Sequence, residues 1–317
     1  MLTTSFQNDC IIAPCIRNNP FPIIDGGRHN GIYGGGIYTK NGFLNIGVQR
    51  YGHECVLNGH PNHVQATQTI DQTIIYGGYI FDHFGHFILE STARLWAKKY
   101  FPQCKFIFTS IEKRPLAKFQ NEILERFGDF EIVCNEAIHC RSLIIPSPSL
   151  VMGKPIEEDI ANDYLRQMLK PNVRNIFSKK FFYLSRAHQQ KRICVNEAEF
   201  EGRLEKLGIN IIHPEDLSFF DQVDLFNNAS LIIGTLGSAW HSLLFASPKA
   251  YCRRVYLDFL DTWEDTYKHV EDITAGKMYR IKCMNLFGGK DEEFGLYNSN
   301  FKVDIVLALE KIRSLMA

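Results

Sequence analysis

The sequence has no excess of charge of either sign: 35 lysines and arginines match 35 aspartates and glutamates, for a formal net charge of +0. Dedicated nucleic-acid-binding proteins carry a basic excess, so this class is disfavoured and no nucleic-acid partner is expected. The chain lacks the ~18 uninterrupted apolar residues that span a bilayer, and its N-terminus lacks the pattern of a secretory signal. These absences predict a soluble, cytoplasmic protein, with peripheral contact at the inner face of the plasma membrane left open.

Cysteine pairs at metal-binding spacing are also missing. The nine cysteines are odd in number and include no C-x-x-C pair, which indicates neither a disulfide framework nor a cysteine-based zinc site. We expect reduced, mostly buried thiols. The histidines His53, His60 and His63 are a weak indication of a metal site, and loop histidines are the favoured interpretation.

What the sequence does have is the composition of a globular protein, with 45% hydrophobic and 22% charged residues. Its 317 residues suggest two domains of roughly 150 residues each. Up to about Gly78 the chain predicts small strands and tight turns, and beyond it strands alternate with helices, as in parallel α/β units. The proline- and serine-rich residues 146–155 favour a linker, so we predict domains at 1–150 and 151–317 with a ligand cleft between them.

Four polar side chains fall on one stripe of the helix predicted for residues 82–100. On an ideal helix with about 100° per residue, His86 falls about 60° behind His83 around the helix axis, and Glu90 falls about 20° behind His83. Arg94 falls about 20° ahead of His83 by the same arithmetic. The other faces are apolar, so the helix is predicted to be largely buried. A buried polar stripe is costly unless its members pair or meet a ligand, which makes it a functional candidate.

Two other interpretations of this stripe remain open. It could be a solvated face held by a Glu90–Arg94 ion pair at i, i+4. It could also be a zinc site, with His83, His86 and Glu90 as ligands and one open position. The spacing is not H-E-x-x-H, so we rank metal binding below an acid–base role.

A second candidate segment joins a glycine-rich turn to a basic loop. Residues 231–233 predict a buried strand, and residues 234–238 form a small-residue turn into a helix, where exposed amides favour phosphate. The upstream loop adds Arg186, Lys191 and Arg192 at the carboxyl end of another strand, the end at which α/β sheets bind ligands. Together they predict a diphosphate site, with a plain tight turn as the alternative. The spacing is not G-x-G-x-x-G, so a nicotinamide dehydrogenase is disfavoured.

With these segments in this order, the sequence resembles glycosyltransferase family 61, particularly its bacterial members in surface-polysaccharide gene clusters. The family shows N-F-G-H-F-[LI]-[LI]-[ED] and R-L-W, then S-R with R-x-x-x-N, then P-E-x-L, Q and I-I-G-x-x-G-[SA]. The matching residues here are HFGHFILE at 83–90, Arg94-Leu95-Trp96, Ser185-Arg186, Arg192, Asn196, Pro214-Glu215-Asp216-Leu217, Gln222 and residues 232–238. His83 and Leu236 depart from the family, which has Asn and His at these positions.

The resemblance implies an α/β, GT-B-like fold: two Rossmann-like domains facing a central cleft, here with a small β-rich N-terminal part. The N-terminal domain would bind a glycan or lipid-linked glycan acceptor and the C-terminal domain a nucleotide-sugar donor, by default a UDP-sugar. The last helix can cross back to the first domain in such folds. Inverting transfer without a cofactor or essential divalent metal is implied, and the sequence has no D-x-D motif. The oligomeric state is not predicted.

Site roles follow from this chemistry, since an inverting transfer needs a base for the acceptor hydroxyl and stabilisation of the departing diphosphate. His86 and Glu90 are predicted to act as a pair, either one being the base, with Asp82 as a third candidate; His83 and Arg94 are assigned to the acceptor. The predicted donor-binding residues are Arg186, Arg192, Asn196, Glu215, Gly234, Thr235, Gly237, Ser238 and Ala239. Asn196 could instead be a helix N-cap, and Glu215 a first-turn acid.

Two further hypotheses are a metal-dependent hydrolase that uses His83, His86 and Glu90, and a catalytically silent sugar-nucleotide-binding protein. Bound zinc and inhibition by chelators would indicate the hydrolase. Donor binding without turnover would indicate the silent protein.

Overall fold

A computed structural model describes residues 2–17, 33–44, 48–50, 53–55, 65–110, 115–151, 159–172, 176–178, 180–258, 265–274, 276–288 and 299–316. The chain forms two compact units, Met1–Leu169 and Lys170–Ala317. Each unit has its own sheet and its own buried apolar cluster.

The first unit is built on a mixed eight-stranded sheet. Its strands, together with the separate β4–β5 hairpin, are β1 (Thr4–Arg17), β2 (Tyr33–Thr39), β3 (Gly42–Leu44), β4 (Val48–Arg50), β5 (His53–Cys55), β6 (Ala66–Ile70), β7 (Ile74–Tyr79), β8 (Phe106–Thr109), β9 (Phe130–Val133) and β10 (Ala137–Pro146). The order is β3-β2-β1-β10-β7-β8-β9, with β6 also paired to β10.

This sheet has an antiparallel and a parallel part. β1 pairs antiparallel with β10 and with β2, and β2 pairs antiparallel with β3, so the β-rich N-terminal segment extends the main sheet. β6, β7, β8, β9 and β10 pair in parallel, which brings the carboxyl ends of β7 and β8 to one edge. The continuous apolar runs of β7 and β8 fit this position, because both strands are buried along their whole length.

The regular helix predicted for residues 82–100 is not what forms after β7. The structure has a single α-turn, α1 (Phe84–His86), then a π-helical segment, Phe87–Ser91, and a 3-10 segment, Leu95–Lys99. The unit also contains α2 (Lys118–Leu124) and α3 (Asp159–Met168). α3, which the sequence placed after the domain boundary, lies in the first unit, and residues 152–155 of the expected linker (146–155) lie outside the described residues.

The second unit carries a fully parallel five-stranded sheet. Its strands are β11 (Phe181–Leu184), β12 (Asn210–Ile212), β13 (Leu231–Thr235), β14 (Arg253–Asp258) and β15 (Met278–Lys282), and a small antiparallel pair is formed by β16 (Met284–Leu286) and β17 (Phe301–Val303). The order β12-β11-β13-β14-β15 is the doubly wound 2-1-3-4-5 arrangement. In such a sheet the connections reverse direction between the first and third strands, here β11 and β13.

Helices cover this sheet. They are α4 (Glu197–Glu205), α5 (Phe219–Asn228), α6 (Asp265–Asp272) and α7 (Ile305–Met316), with a 3-10 helix over Ser238–Phe245. α7 places Ala308, Leu309 and Ile312 in the apolar cluster of its own unit, beside β13 and β14 residues. In the part of the chain that the structure describes, no helix is long and apolar enough to cross a membrane.

Candidate functional site

The polar groups predicted as functional fall into two clusters, one in each unit. We call His86 with Glu90 the carboxylate–histidine pair, and residues 185–192 the arginine loop. Both follow the carboxyl ends of parallel strands, β7 and β11, where α/β sheets bind ligands.

The carboxylate–histidine pair is formed as the sequence predicted. His86 Nδ1 donates to Glu90 Oε2 over 2.7 Å, the carboxylate being the acceptor. The Glu90 side chain is 4% exposed and that of His86 21%. Glu90 Oε1 is buried and has no hydrogen-bond partner in the described part of the chain. A buried carboxylate oxygen without a partner costs free energy, so Glu90 stays a candidate functional residue.

The single polar stripe is not preserved beyond this pair. Glu90 lies in the π-helical segment, where Thr92 N–H donates to the Phe87 carbonyl, and this i→i+5 bond breaks the assumed 100° per residue. His83 precedes α1 in an extended conformation, and its ring centroid lies 5.4 Å from that of His86. π-helical turns occur frequently at functional sites, which fits the position of Glu90.

Arg94 has a packing position away from the stripe. It is buried, and Nε donates to the Pro146 carbonyl over 2.9 Å. Trp96 Nε1 donates to the Ser147 carbonyl, so the R-L-W residues hold the chain leaving β10. Burial lowers the pKa of Arg94 from its ordinary value. The assignment of Arg94 and His83 to the acceptor stays a prediction.

The chain between β7 and α1 is fixed by two side chains that the sequence reasoning missed. Ser91 Oγ donates to the Tyr79 carbonyl and accepts from the Phe81 amide, at 2.7 and 3.0 Å. Gln120 Nε2 donates to the Phe81 carbonyl over 2.9 Å. Asp82 follows directly, on the exposed surface. No local pattern singles out Ser91 or Gln120, because their partners lie far away or across a turn.

The arginine loop lies where the connections of the second sheet reverse. Arg186 follows β11, and the turn after β13 holds Gly237; β11 and β13 are paired neighbours. Arg192 Nη2 donates to the Leu236 carbonyl over 2.7 Å, which fastens the loop to the turn. The predicted basic loop and the predicted glycine turn therefore meet, at the position where doubly wound sheets bind ligands.

Within the loop, Arg186 is held by backbone carbonyls. Its Nε donates to Arg192 and its Nη2 to Lys191, at 3.2 and 2.9 Å. Arg186 Nη1 faces Gly237, because a Cβ built on that glycine would lie 3.2 Å from this nitrogen. Burial, and then the nearby charge of Arg192, lower the pKa of Arg186 to about 10. Arg186 remains protonated at neutral pH, so this loop places two cationic side chains, those of Arg186 and Arg192, next to the glycine turn.

The turn itself combines packing with exposed amides. A Cβ on Gly234 would lie 3.1 Å from Leu184 and 3.3 Å from the Trp240 ring, so a larger residue would fit tightly here. The Thr235 hydroxyl is buried and has no partner among the described residues. Ser238 and Ala239 begin the 3-10 helix, where amide N–H groups point away from the helix body.

Two predicted donor residues have other observable contacts. Asn196 stands at the N-cap position of α4 without a side-chain cap bond; its side chain exchanges two 2.9 Å bonds with the backbone of Val303. Glu215 Oε1 lies 3.6 Å from His188 Nδ1 on the exposed side of the β12 loop. Their roles in donor binding stay predictions.

A buried carboxylate behind the arginine loop was missed as well. Glu197 Oε1 accepts from the Arg186 amide over 2.9 Å and from the Tyr183 hydroxyl over 2.8 Å. The sequence presents Glu197 only as an ordinary first-turn acid of α4, because its partners are set by packing against β11.

Metal-binding geometry is found at a place that the sequence did not indicate. Among the described residues, the side chains that could hold an ion together are His188, His213 and Glu215. His83, His86 and Glu90 do not form such a group, so the hydrolase hypothesis gains no support. His60 and His63, together with the side chain of His53, lie outside the described residues.

Comparison with known proteins identifies the family of the chain. The model of a family described as Glycosyltransferase 61 matches residues 84–252, more than half of the chain. The matched range includes the carboxylate–histidine pair, the arginine loop and the glycine turn. Comparison with curated proteins gave no match.

Proposed function

Because the chain belongs to glycosyltransferase family 61, we propose that it transfers a sugar, with inversion, from a nucleotide-diphosphate donor to a hydroxyl of a glycan acceptor. The observation that carries the donor part of this proposal is the meeting of the arginine loop with the glycine turn. The default donor is a UDP-sugar.

The second unit binds the donor diphosphate. Arg186 Nη1 and the amides of Ser238 and Ala239 lie next to Gly237, which has no side chain to keep a phosphate away. Arg186 and Arg192 neutralise the charge that develops on the leaving diphosphate. The bonds from Glu197 and from the loop carbonyls hold Arg186 in place before the donor arrives, so little reorganisation is needed during the reaction.

The first unit activates the acceptor. Glu90 holds Nδ1 of His86, so proton exchange with an acceptor hydroxyl runs through Nε2. His86 is the more exposed partner, which favours His86 as the base and Glu90 as the group that orients it and stabilises its positive charge. Asp82 is the alternative base.

The wider setting comes from the resemblance. We place the enzyme in bacterial surface-polysaccharide synthesis, such as capsule or O-antigen, at the cytoplasmic face of the membrane, with a glycan or lipid-linked glycan acceptor. The two units would be the halves of a GT-B arrangement. No metal ion takes part in the transfer step that we propose.

A thermal-shift screen with UDP, GDP and CMP and their sugar conjugates, with and without EDTA, tests the proposal. A ligand at about 100 times its Kd stabilises the folded state by roughly 2.7 kcal/mol, a readily measured shift. We expect one nucleotide diphosphate to raise Tm equally with and without EDTA. Arg186→Met should abolish the shift, whereas the matched control Arg203→Met, on the exposed face of α4, should keep it. No shift with any nucleotide would refute the donor site.

A further inference from the structure

His188 of the arginine loop lies close to His213 and Glu215 of the loop after β12. We propose that these three side chains bind one divalent transition-metal ion, such as Zn²⁺, which ties the arginine loop to the loop after β12. The inference is independent of the transferase proposal, since none of its steps uses a nucleotide or a sugar.

The first support is the convergence of three ligating groups from two chain segments. One ligand atom of each residue lies within 4.8 Å of the others, and His188 Nδ1 lies 3.6 Å from Glu215 Oε1. Two ligands of a tetrahedral zinc ion with bonds of about 2.0–2.1 Å are about 3.3 Å apart. By distance alone, movements of about an ångström or less per group would bring the ligand atoms to coordination spacing, and the side chains of His188 and Glu215, 54% and 32% exposed, have room to reorient.

The second support is a histidine nitrogen without a protein partner. Nδ1 of His213 is buried and makes no hydrogen bond in the described part of the chain. A buried ring nitrogen without a partner costs free energy, which coordination of a metal ion would recover. His213 is positioned by the end of β12 and by Pro214, which starts a 3-10 turn, so one ligand is fixed while the other two adjust.

The chemistry of the set indicates the class of ion. Two imidazoles and one carboxylate suit zinc and its neighbours rather than calcium or magnesium, which prefer oxygen ligands. The set is His₂Glu, which leaves a fourth position for water. At present the two rings are stacked, with centroids 3.9 Å apart and planes at 17°. Their in-plane lone pairs run nearly parallel, so binding requires the exposed His188 ring to rotate toward Glu215.

Zinc binding to the tag-free, chelator-treated full chain tests the inference. After equilibrium dialysis against Zn²⁺, wild type should retain one ion per chain by elemental analysis, and His188→Ala and Glu215→Gln should each lose it. The matched control His139→Ala changes a partly exposed histidine on β10 of the first unit and should retain the ion. His86→Ala should also retain it, which excludes the carboxylate–histidine pair as the zinc site.

Two results would overturn the assignment: no retained zinc in wild type, or the same zinc content in wild type, His188→Ala and Glu215→Gln. Nucleotide affinity of metal-free Glu215→Gln separates this role from the ribose contact predicted for Glu215. Unchanged nucleotide affinity together with lost zinc supports the metal role, whereas lost nucleotide affinity with zinc retained overturns it. Failure of zinc binding would leave the thermal shift by nucleotides unaffected, so the two proposals fail separately.

Discussion

Gly237→Ala separates ligand binding from folding at the donor site. Gly237 is in an extended conformation (φ −177°, ψ 165°) that alanine adopts without strain. The added methyl group meets only Arg186 Nη1, at 3.2 Å, and the Thr235 carbonyl oxygen, at 3.9 Å. Replacing glycine by alanine at a compatible position gains about 0.4–1 kcal/mol. The tight contact with Arg186 offsets part of that gain, so the free energy of unfolding should change little.

In the proposed donor site, the same methyl group occupies the place from which a phosphate would reach Arg186. Losing one hydrogen bond to a charged group costs about 1.5–3 kcal/mol. With about 1.4 kcal/mol per factor of ten, this corresponds to about a tenfold to hundredfold rise in Kd. Arg186 cannot move aside freely, because its Nε and Nη2 are bonded to loop carbonyls.

Isothermal titration with the nucleotide diphosphate found in the screen, together with thermal unfolding, measures both quantities. Gly202→Ala is the matched control, because a Cβ on this α4 glycine meets nothing within 4 Å. It should leave Kd unchanged and stabilise the helix by about 0.5–1 kcal/mol. A folded Gly237→Ala protein that binds the nucleotide as tightly as wild type would show that phosphate does not approach this turn.

Three further predictions concern other parts of the molecule. Glu271→Gln, which breaks the buried ion pair with Arg254, should lower the free energy of unfolding by about 3–5 kcal/mol in urea titrations. Burial raises the pKa of the thiols of Cys10 and Cys140 to about 11 and 12, so in the native protein at pH 8 they should react with Ellman's reagent far more slowly than after denaturation. His86→Ala should lower kcat by about 10²–10⁴-fold in a transferase assay and leave nucleotide affinity unchanged.

For each of these three predictions, one result would contradict the reasoning. A change below about 1 kcal/mol for Glu271→Gln would mean that Arg254 finds another acceptor. The raised thiol pKa values also predict that stability is fully present below pH 9 and falls as pH rises toward 11–12, because the unfolded chain loses those protons first. Constant stability over that range would contradict the burial argument. Full activity of His86→Ala would leave Glu90 or Asp82 as the base.

The second unit shows how much of the fold the sequence predicts. The apolar run of β13 and the small residues after it predict a buried strand and a turn, and both form. That Arg186 comes to face Gly237 follows from the pairing of β11 with β13, across 50 residues of chain. Strand order depends on non-local packing and has no local signature.

The segment after β7 shows where prediction from the sequence succeeds only in part. Its residues have helical spacing, and His86 and Glu90 meet as the i, i+4 spacing predicts, since one helical turn fixes that distance. The longer stripe to Arg94 fails, because one i→i+5 bond interrupts the regular spacing and residues 92–94 form a bend and turns and do not continue the helix. A polar stripe can be extrapolated over several turns only if every helical turn is regular. The sequence has no pattern that predicts the π-helical turn.

The sequence by itself determined what local chemistry can determine: the family, the α/β class, the carboxylate–histidine pair, and the basic loop and glycine turn that we propose as the donor site. These depend on residue types and on spacings of a few residues. Tertiary structure alone decided that the basic loop meets the glycine turn, that Glu197 holds Arg186 from behind, and that His188, His213 and Glu215 converge. Their members are distant in the chain, and only the packing of parallel strands side by side brings the carboxyl ends of those strands, and the loops that follow, to one edge.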